Sequence, residues 1–275
     1  MRTLVHLSDL HFGRVDDALL APLRALIERL APDVVVVSGD LTQRAKSEEF
    51  EAARAYLDTL PGPQIIVPGN HDISLYNVFR RFVQPLKRYK RYITDDLDPI
   101  HVDDEIAVLG INTARSLTFK DGRINEEQVA KIKEEFGGLD PAITRIVVTH
   151  HPFDLPRTAD DDDLVDRAPM AMAAFAECGV DLLLAGHLHV SHADSTAERY
   201  PFSEYAALVV QAGTATSTRG RGEVNSFNVI RVEHGHVEVD RYGWDVEAAQ
   251  FLLAKTESFI RNGDVWAAHS GGLNI

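Results

Sequence analysis

Four consecutive valines, Val34 to Val37, bounded by Pro32 and Gly39, constrain the fold more than any other stretch. A strand points successive side chains to opposite faces, so a run that is apolar at every position must be covered on both. Its neighbours extend the pattern. Residues 2–7, with Leu4-Val5-His6-Leu7, read as a preceding strand, and Ile65-Ile66-Val67 as a following one. Between them, residues 16–30 carry Leu19, Leu20, Leu23, Leu26, Ile27 and Leu30 at helical spacing; Pro22 is tolerable only near the start, and Pro32 ends the helix. A second helix over 46–59 places Phe50, Ala53, Tyr56 and Leu57 on one side. Such a β-α-β-α-β order predicts a largely parallel sheet with helices packed outside.

The later chain is less regular. Residues 74–93 hold a basic cluster (Arg80, Arg81, Lys87, Arg88, Lys90, Arg91), which reads first as a solvated face and second as a rim for an anionic substrate. Residues 101–103 and 106–111 form a hairpin turning at Asp104-Glu105. Asn125 and Gln128 give a capping-box start to a helix ending near Phe136. Residues 143–149 are a strand. Residues 154–167 are a long exposed loop whose acid run, Asp160 to Asp163, lacks the alternating spacing and terminal Glu of a calcium loop. A helix over 169–177 and a strand over 181–184 follow. Residues 206–211, 225–232 and 236–242 read as a β meander, 248–259 as a closing helix, and the Gly-rich tail as frayed. With no linker or repeat, residues 1–275 are expected to be one domain.

Composition narrows the functional classes. Hydrophobic content of 45% and charged content of 25% are ordinary for a globular chain. No apolar run approaches the roughly 18 residues that span a bilayer, so no membrane partner is expected. The start lacks a basic-then-apolar signal region, which predicts a cytoplasmic protein. The single cysteine, Cys178, excludes an intrachain disulfide and a multi-cysteine zinc site, and its apolar neighbours suggest a buried thiol. A formal net charge of −14 disfavours nucleic acid as a partner. It leaves a small phosphate ester open, because a bound cation dominates the field of its own site. The oligomeric state stays open, a homodimer included.

Five expected strand ends carry potential ligands: Asp9 and His11, Asp40, Asn70, His150, and His187 with His189. The C-terminal ends of strands in an α/β sheet share an edge, where ligand sites form. In an extended backbone Asp9 and His11, two apart, point to the same side. Seven oxygen and nitrogen donors without sulfur exceed one tetrahedral zinc and suit two divalent ions. Paired ions of this kind catalyse in-line displacement at phosphorus. Gly39, Gly69 and Gly186 each precede a donor, where a missing side chain allows a sharp turn. His151 is read as a residue behind the site or on the substrate rim, with a plain turn residue as the alternative. The remaining histidines, His6 among them, fit no spacing and read as structural or surface groups. Arg219 and Arg221 read as a solvated turn rather than phosphate contacts.

Asp9-x-His11, Gly39-Asp40, Gly69-Asn70-His71-Asp72, the lone strand-end His150 and Gly186-His187-x-His189 resemble, in order over about residues 1–190, the calcineurin-like metallophosphoesterases. Compact size, Gly39-Asp40-Leu41-Thr42 and His150-His151-Pro152 are most similar to bacterial class III cyclic-nucleotide phosphodiesterases and their glycerophosphodiesterase relatives. The resemblance implies a four-layer α-β-β-α sandwich of two mixed sheets. It implies that Asp9, His11, Asp40 and His189 hold one metal, and Asp40, Asn70, His150 and His187 a second, with Asp40 bridging. Mn, Fe, Zn and Co all accept such donors. Two divalent ions against two carboxylates leave the site positive, and a water shared between them would lose its proton near neutral pH and attack phosphorus. By the same resemblance His71 contacts the phosphate and acts as acid for the leaving oxygen. Where the phosphatase branch has an acidic residue three positions past the bridging Asp, this chain has Gln43, which leaves the group orienting His71 unassigned. The implied activity is hydrolysis of a small phosphodiester, a 3′,5′-cyclic nucleotide first. Glycerophosphodiesterase or phosphomonoesterase activity is the alternative. A non-catalytic scaffold is remoter, since it predicts lost ligands and all seven are present.

Overall fold

Val34 and Val36 lie in an apolar cluster between two β-sheets, while Val35 and Val37 lie in a second cluster against helices. The computed structural model describes residues 1–74, 83–115, 122–156, 163–201, 204–219 and 222–269. Arg80, Arg81, Asp160 to Asp162, Arg221 and the tail from Ser270 lie outside the described residues, as does the middle of the 154–167 loop.

The opening alternation is as expected: β1 (Arg2–Leu7), α1 (Asp17–Leu30), β2 (Val34–Ser38), α2 (Ser47–Leu57), β3 (Gln64–Val67). The Asp16 side chain caps α1 by accepting from the Ala18 amide. A short helix α3 (Lys87–Tyr92) precedes the hairpin β4 (Ile100–Val102) and β5 (Ile106–Gly110). Then come α4 (Glu126–Gly137), β6 (Thr144–Val148), α5 (Ala168–Cys178) and β7 (Leu182–Ala185). Asn125 and Gln128 form the reciprocal cap of α4, with bonds of 2.8 and 3.2 Å. The chain closes with strands β8 (His192–Ser195), β9 (Tyr205–Ala206), β10 (Leu208–Gln211), β11 (Ser226–Glu233), β12 (His236–Asp245), β13 (Gln250–Asn262) and β14 (Asp264–Ala268).

Strands order as β3-β2-β1-β11-β12-β13-β14-β9 in one sheet and β4-β5-β6-β7-β10-β8 in the other. Both mix parallel and antiparallel pairs. The sheets face each other across Leu4, Val36, Val67, Val108, Val148, Leu184, Val210 and Ile230. Leu23, Ile27, Phe50 and Leu57 of α1 and α2 pack on the outside of the first sheet. Ile132, Phe136, Met172 and Phe175 of α4 and α5 cover the outside of the second. The architecture is the four-layer α-β-β-α sandwich. Among the described residues no helix is long and apolar enough to cross a membrane.

Three expectations change. Residues 248–259 are not a helix but most of β13, paired with β12 from His236↔Ile260 to Asp245↔Gln250. The register skips Ala254, since Tyr242 faces Leu253 and Arg241 faces Lys255. One extra residue inverts the faces: Phe251 joins the helix-side cluster and Phe259 the inter-sheet cluster. The bulge erases the alternation that marks a strand, and long-range pairing overrides the local helical bias. The expected meander is also split, with β10 in the second sheet and β11 and β12 in the first. Finally, Cys178 is half-buried rather than buried.

Candidate metal centre

Each of the five expected strand ends reaches one place. The loops after β1, β2 and β3 come from the first sheet, and those after β6 and β7 from the second. His150 Nδ1 donates to the Ser38 carbonyl at 2.7 Å, and the His187 amide donates to Asp9 Oδ2 at 3.1 Å, so the two sheets are tied together at the site. Asp9 and His11 do converge, but not because the backbone is extended: their φ values are +53° and +50°. β1 has ended at Leu7, and the chain coils through left-handed residues. Asp40, His187 and His189 share this conformation, so five of the nine non-glycine residues with positive φ in the described chain are candidate ligands. Side chains rarely adopt it unprompted, and such strain concentrates at functional sites. The glycines divide by cause. Gly39 both turns, with φ +91°, and is crowded, an added Cβ lying 2.6 Å from His150 Nδ1, whereas at Gly69 and Gly186, without positive φ, an added Cβ would lie 2.1 Å from Asp40 Oδ1 and 1.8 Å from Ser8 Oγ. Crowding, not turning, selects glycine at those two.

Three donors of one group surround a gap. Asp9 Oδ1 lies 3.5 Å from His11 Nε2 and 3.3 Å from His189 Nε2, and the two imidazole nitrogens are 3.5 Å apart. His11 Nδ1 faces the Thr42 carbonyl at 3.4 Å. His189 Nδ1 lies 2.7 Å from Thr214 Oγ1 and 3.2 Å from the Arg219 carbonyl. With each Nδ1–H directed outward, both Nε2 lone pairs point inward. Asp9 Oδ1 joins them fully buried and with no hydrogen-bond donor, while Oδ2 accepts from Ser8 Oγ at 2.6 Å. Metal–ligand bonds of about 2.0–2.2 Å place neighbouring donors on one ion roughly 3–3.5 Å apart. This donor set therefore fits a divalent ion.

A second group adjoins it through Asp40. His150 Nε2 is 3.4 Å from Asp40 Oδ1 and 3.0 Å from Asn70 Oδ1, while His11 Nε2 is 3.8 Å from Asp40 Oδ2. The ring of His187 lies 5.1 Å from that of His150, centroid to centroid, and its imidazole can set a donor within 4.8 Å of those of His150 and His151. His151 is fully buried behind this group, its ring 4.8 Å from that of His187 and its Nδ1 2.8 Å from Thr113 Oγ1. That puts His151 at the site, beside His150 and His187, and not in a plain turn.

Electrostatics follow from burial. Asp40 is desolvated, yet His150 beside it holds its carboxyl well below the usual range. Burial would likewise raise Asp9, but His189 and His11 outweigh it and lower it. For His150 burial alone depresses basicity, and the Asp40 carboxylate reverses this, pushing it up to about 9. Protons thus balance the carboxylates where cations otherwise do. Asp72, buried and near Asp40, is pushed up to about 6 against the pull of the Gly69, Leu41 and Thr42 amides that donate to it at 2.9–3.1 Å. His6, wholly buried on Ser38 Oγ, is driven by burial down to about 3 and stays neutral, as a structural residue should.

His71 acquires the orienting group that the sequence left unassigned. Its Nδ1 donates to the Gln43 main-chain carbonyl at 2.8 Å, so the residue type at 43 is immaterial to that bond. Its Nε2 then accepts, and Arg219 Nη1 donates to it at 3.0 Å. Burial depresses the basicity of His71. The solvated-turn reading of Arg219 is therefore overturned. The available signal was the run Thr214 to Thr218 after a strand end, four hydroxyl residues around the buried Ala215, a density of side-chain donors that suits a segment stitched to its neighbours. Asp72, whose carboxylate braces both the Asp40 and the Asn70 loops, had no role in the sequence reading beyond its place in a motif. Of the basic cluster, Lys87, Lys90 and Arg91 are exposed and line a cleft with Arg115, while Arg88 donates to the Ala45 carbonyl.

Comparison with known proteins agrees with the geometry. The sequence profile described as calcineurin-like phosphoesterase matches residues 2–191. The chain is 26% identical over 208 residues to glycerophosphodiester phosphodiesterase GpdQ of Enterobacter lignolyticus, covering 64% of this chain and 69% of that protein. It is 23% identical over 203 residues to 3′,5′-cyclic adenosine monophosphate phosphodiesterase CpdA of Escherichia coli K12, covering 68% and 69%. A dimetal phosphatase from Danio rerio shares the fold with a TM-score of 0.66 at 13% identity, over 91% of this chain and 98% of that one. With a profile that spans well over half its length, the chain belongs to the calcineurin-like phosphoesterase family and is a metal-dependent phosphoesterase.

Proposed function

We propose that the protein hydrolyses a small phosphodiester, a 3′,5′-cyclic nucleotide first, at two divalent ions. One would be held by Asp9, His11, Asp40 and His189, the other by Asp40, Asn70, His150 and His187. The observation that carries this is Asp40, whose Oδ1 faces His150 and whose Oδ2 faces His11, so that each oxygen serves a different donor group. Such ions supply positive charge for the phosphate and a water acidic enough to attack it. The protein's own part is orientation: carbonyls of Ser38 and Thr42 and the hydroxyl of Thr214 aim the imidazoles. His71, steered by Gln43, faces the leaving oxygen. A glycerophosphodiester is the second substrate class, favoured by the 26% identity to GpdQ. The metals are drawn from Mn, Fe, Zn and Co. We also take residues 1–275 as one domain, because β11 to β14 complete the sheet begun by β1 to β3, and we place it in the cytoplasm, which cell fractionation checks.

Protein loaded with Mn²⁺ should cleave bis(p-nitrophenyl) phosphate, and Asp40→Ala should abolish this. Activity that survives the substitution sinks the mechanism. Turnover of cyclic AMP, glycerophosphocholine and p-nitrophenyl phosphate then separates the substrate classes, and metal analysis of the purified protein identifies the ions.

A further inference from the structure

The run Thr214 to Arg219 is fastened to the first ligand loop along its length. The Ala215 amide donates to the Ser8 carbonyl at 3.0 Å, and Thr216 Oγ1 donates to the Leu10 carbonyl at 2.9 Å. The Asp16 amide donates to the Thr216 carbonyl at 2.9 Å, and the Thr218 amide to the Arg14 carbonyl at 2.9 Å. Thr214 and the Arg219 carbonyl both contact His189 Nδ1. Arg219 is thus set by the same backbone that sets the candidate ligands, rather than hanging from a free turn. Its guanidinium has five N–H donors. Among the described residues the side chain makes one hydrogen bond, to His71 Nε2 at 3.0 Å, and no carboxylate lies within ion-pair distance. That is notable in a protein of net charge −14, where an arginine finds a carboxylate easily.

A guanidinium bonds an anionic oxygen about twice as strongly as a neutral acceptor, and its fork matches two oxygens of a phosphate. On the proposed reading of the site as one that receives a phosphodiester, those oxygens arrive beside His71. We propose that Arg219 is a phosphate-binding residue of this site, which exchanges its hydrogen bond to His71 Nε2 for the non-bridging oxygens of the substrate. The exchange has a second effect. While Arg219 donates to it, the Nε2 lone pair of His71 is occupied; once the guanidinium turns to phosphate, Nε2 is free to take a proton from solvent and donate it to the leaving oxygen, which departs as the alcohol. Arg219 binds the phosphate directly, and it positions His71 by releasing it.

The test compares Arg219→Gln and Arg219→Lys with the wild type, each metal-loaded and checked for metal content. Inorganic phosphate binding is measured by calorimetry and bis(p-nitrophenyl) phosphate turnover by steady-state kinetics. For Arg219→Gln the phosphate Kd and the KM should each rise about tenfold or more at full metal content, with Arg219→Lys, which keeps the charge but not the fork, in between. The same substitution in a His71→Ala background should still raise the phosphate Kd. Three results overturn the proposal: Kd and KM within twofold of wild type in Arg219→Gln; an effect that disappears in the His71→Ala background; or activity that falls only in proportion to lost metal, which is what a purely structural role through His189 gives. A wild-type protein that neither binds phosphate nor cleaves the diester overturns the reading of the site itself, and is told apart because it precedes any variant.

Discussion

Replacing Gly69 by alanine adds one methyl group at the tightest point of the site. Its Cβ would stand 2.1 Å from Asp40 Oδ1 and 2.4 Å from the Asp40 amide nitrogen. Non-bonded carbon contacts relax at about 3.5 Å, so roughly 1 Å or more of movement is needed. Rotating the Asp40 side chain cannot supply it, because the backbone nitrogen clashes as well, and because Oδ1 is fixed by the His71 amide at 2.8 Å. Backbone strain plays no part, since Gly69 has φ −103°, open to any residue. Overpacking of this kind costs about 1–3 kcal/mol in stability. A displacement of about 1 Å at a catalytic group costs about 100-fold in rate. The control is Gly137→Ala at the end of α4, where an added Cβ meets nothing within 4 Å and helix propensity gains a few tenths to about 1 kcal/mol. Urea titration should therefore show Gly137→Ala unchanged or slightly stabilised, with kcat/KM on bis(p-nitrophenyl) phosphate as in wild type, whereas both quantities fall for Gly69→Ala. A Gly69→Ala protein with wild-type kcat/KM would refute the crowding argument and the central place given to Asp40.

On the proposed ligand set, metal and pH should be linked through His150. Its basicity in the folded metal-free chain is raised from an ordinary 6.5 to about 9. A base raised in this way stabilises the fold fully below about 6.5 and loses that contribution as pH rises through about 9. Metal-free protein should therefore lose stability between pH 7 and 9.5, and loaded protein should not, because the ion holds the imidazole deprotonated. Melting curves across that range check it, and parallel losses with and without metal would contradict it. In β13, Phe251→Ala and Phe259→Ala should each cost about 3–5 kcal/mol, since each ring fills a different cluster. Denaturant titration that finds either ring dispensable would put the bulge at Ala254 in error.

Much of the candidate site was legible along the chain because its parts are local. An apolar run covered on both faces, such as Val34 to Val37, marks an inner strand, and the donors that follow such runs mark its functional edge. Asp9, His11, Asp40, Asn70, His150, His187 and His189 needed only their positions relative to strand ends. The tertiary structure decided what depends on distant partners. Whether residues 250–262 form a helix or a strand rests on pairing with β12 and on one skipped residue, neither of which local periodicity records. The left-handed conformations at Asp9 and His11 come from contacts across the sheet edge, not from their own preferences. Arg219 and His71 are 148 positions apart in sequence, and only the folding of one loop onto another makes them neighbours. The chain alone therefore determines which chemistry it carries, through residue types at strand ends. Three-dimensional packing determines how those groups are aimed, because aim is set by carbonyls, hydroxyls and one arginine supplied from elsewhere in the chain.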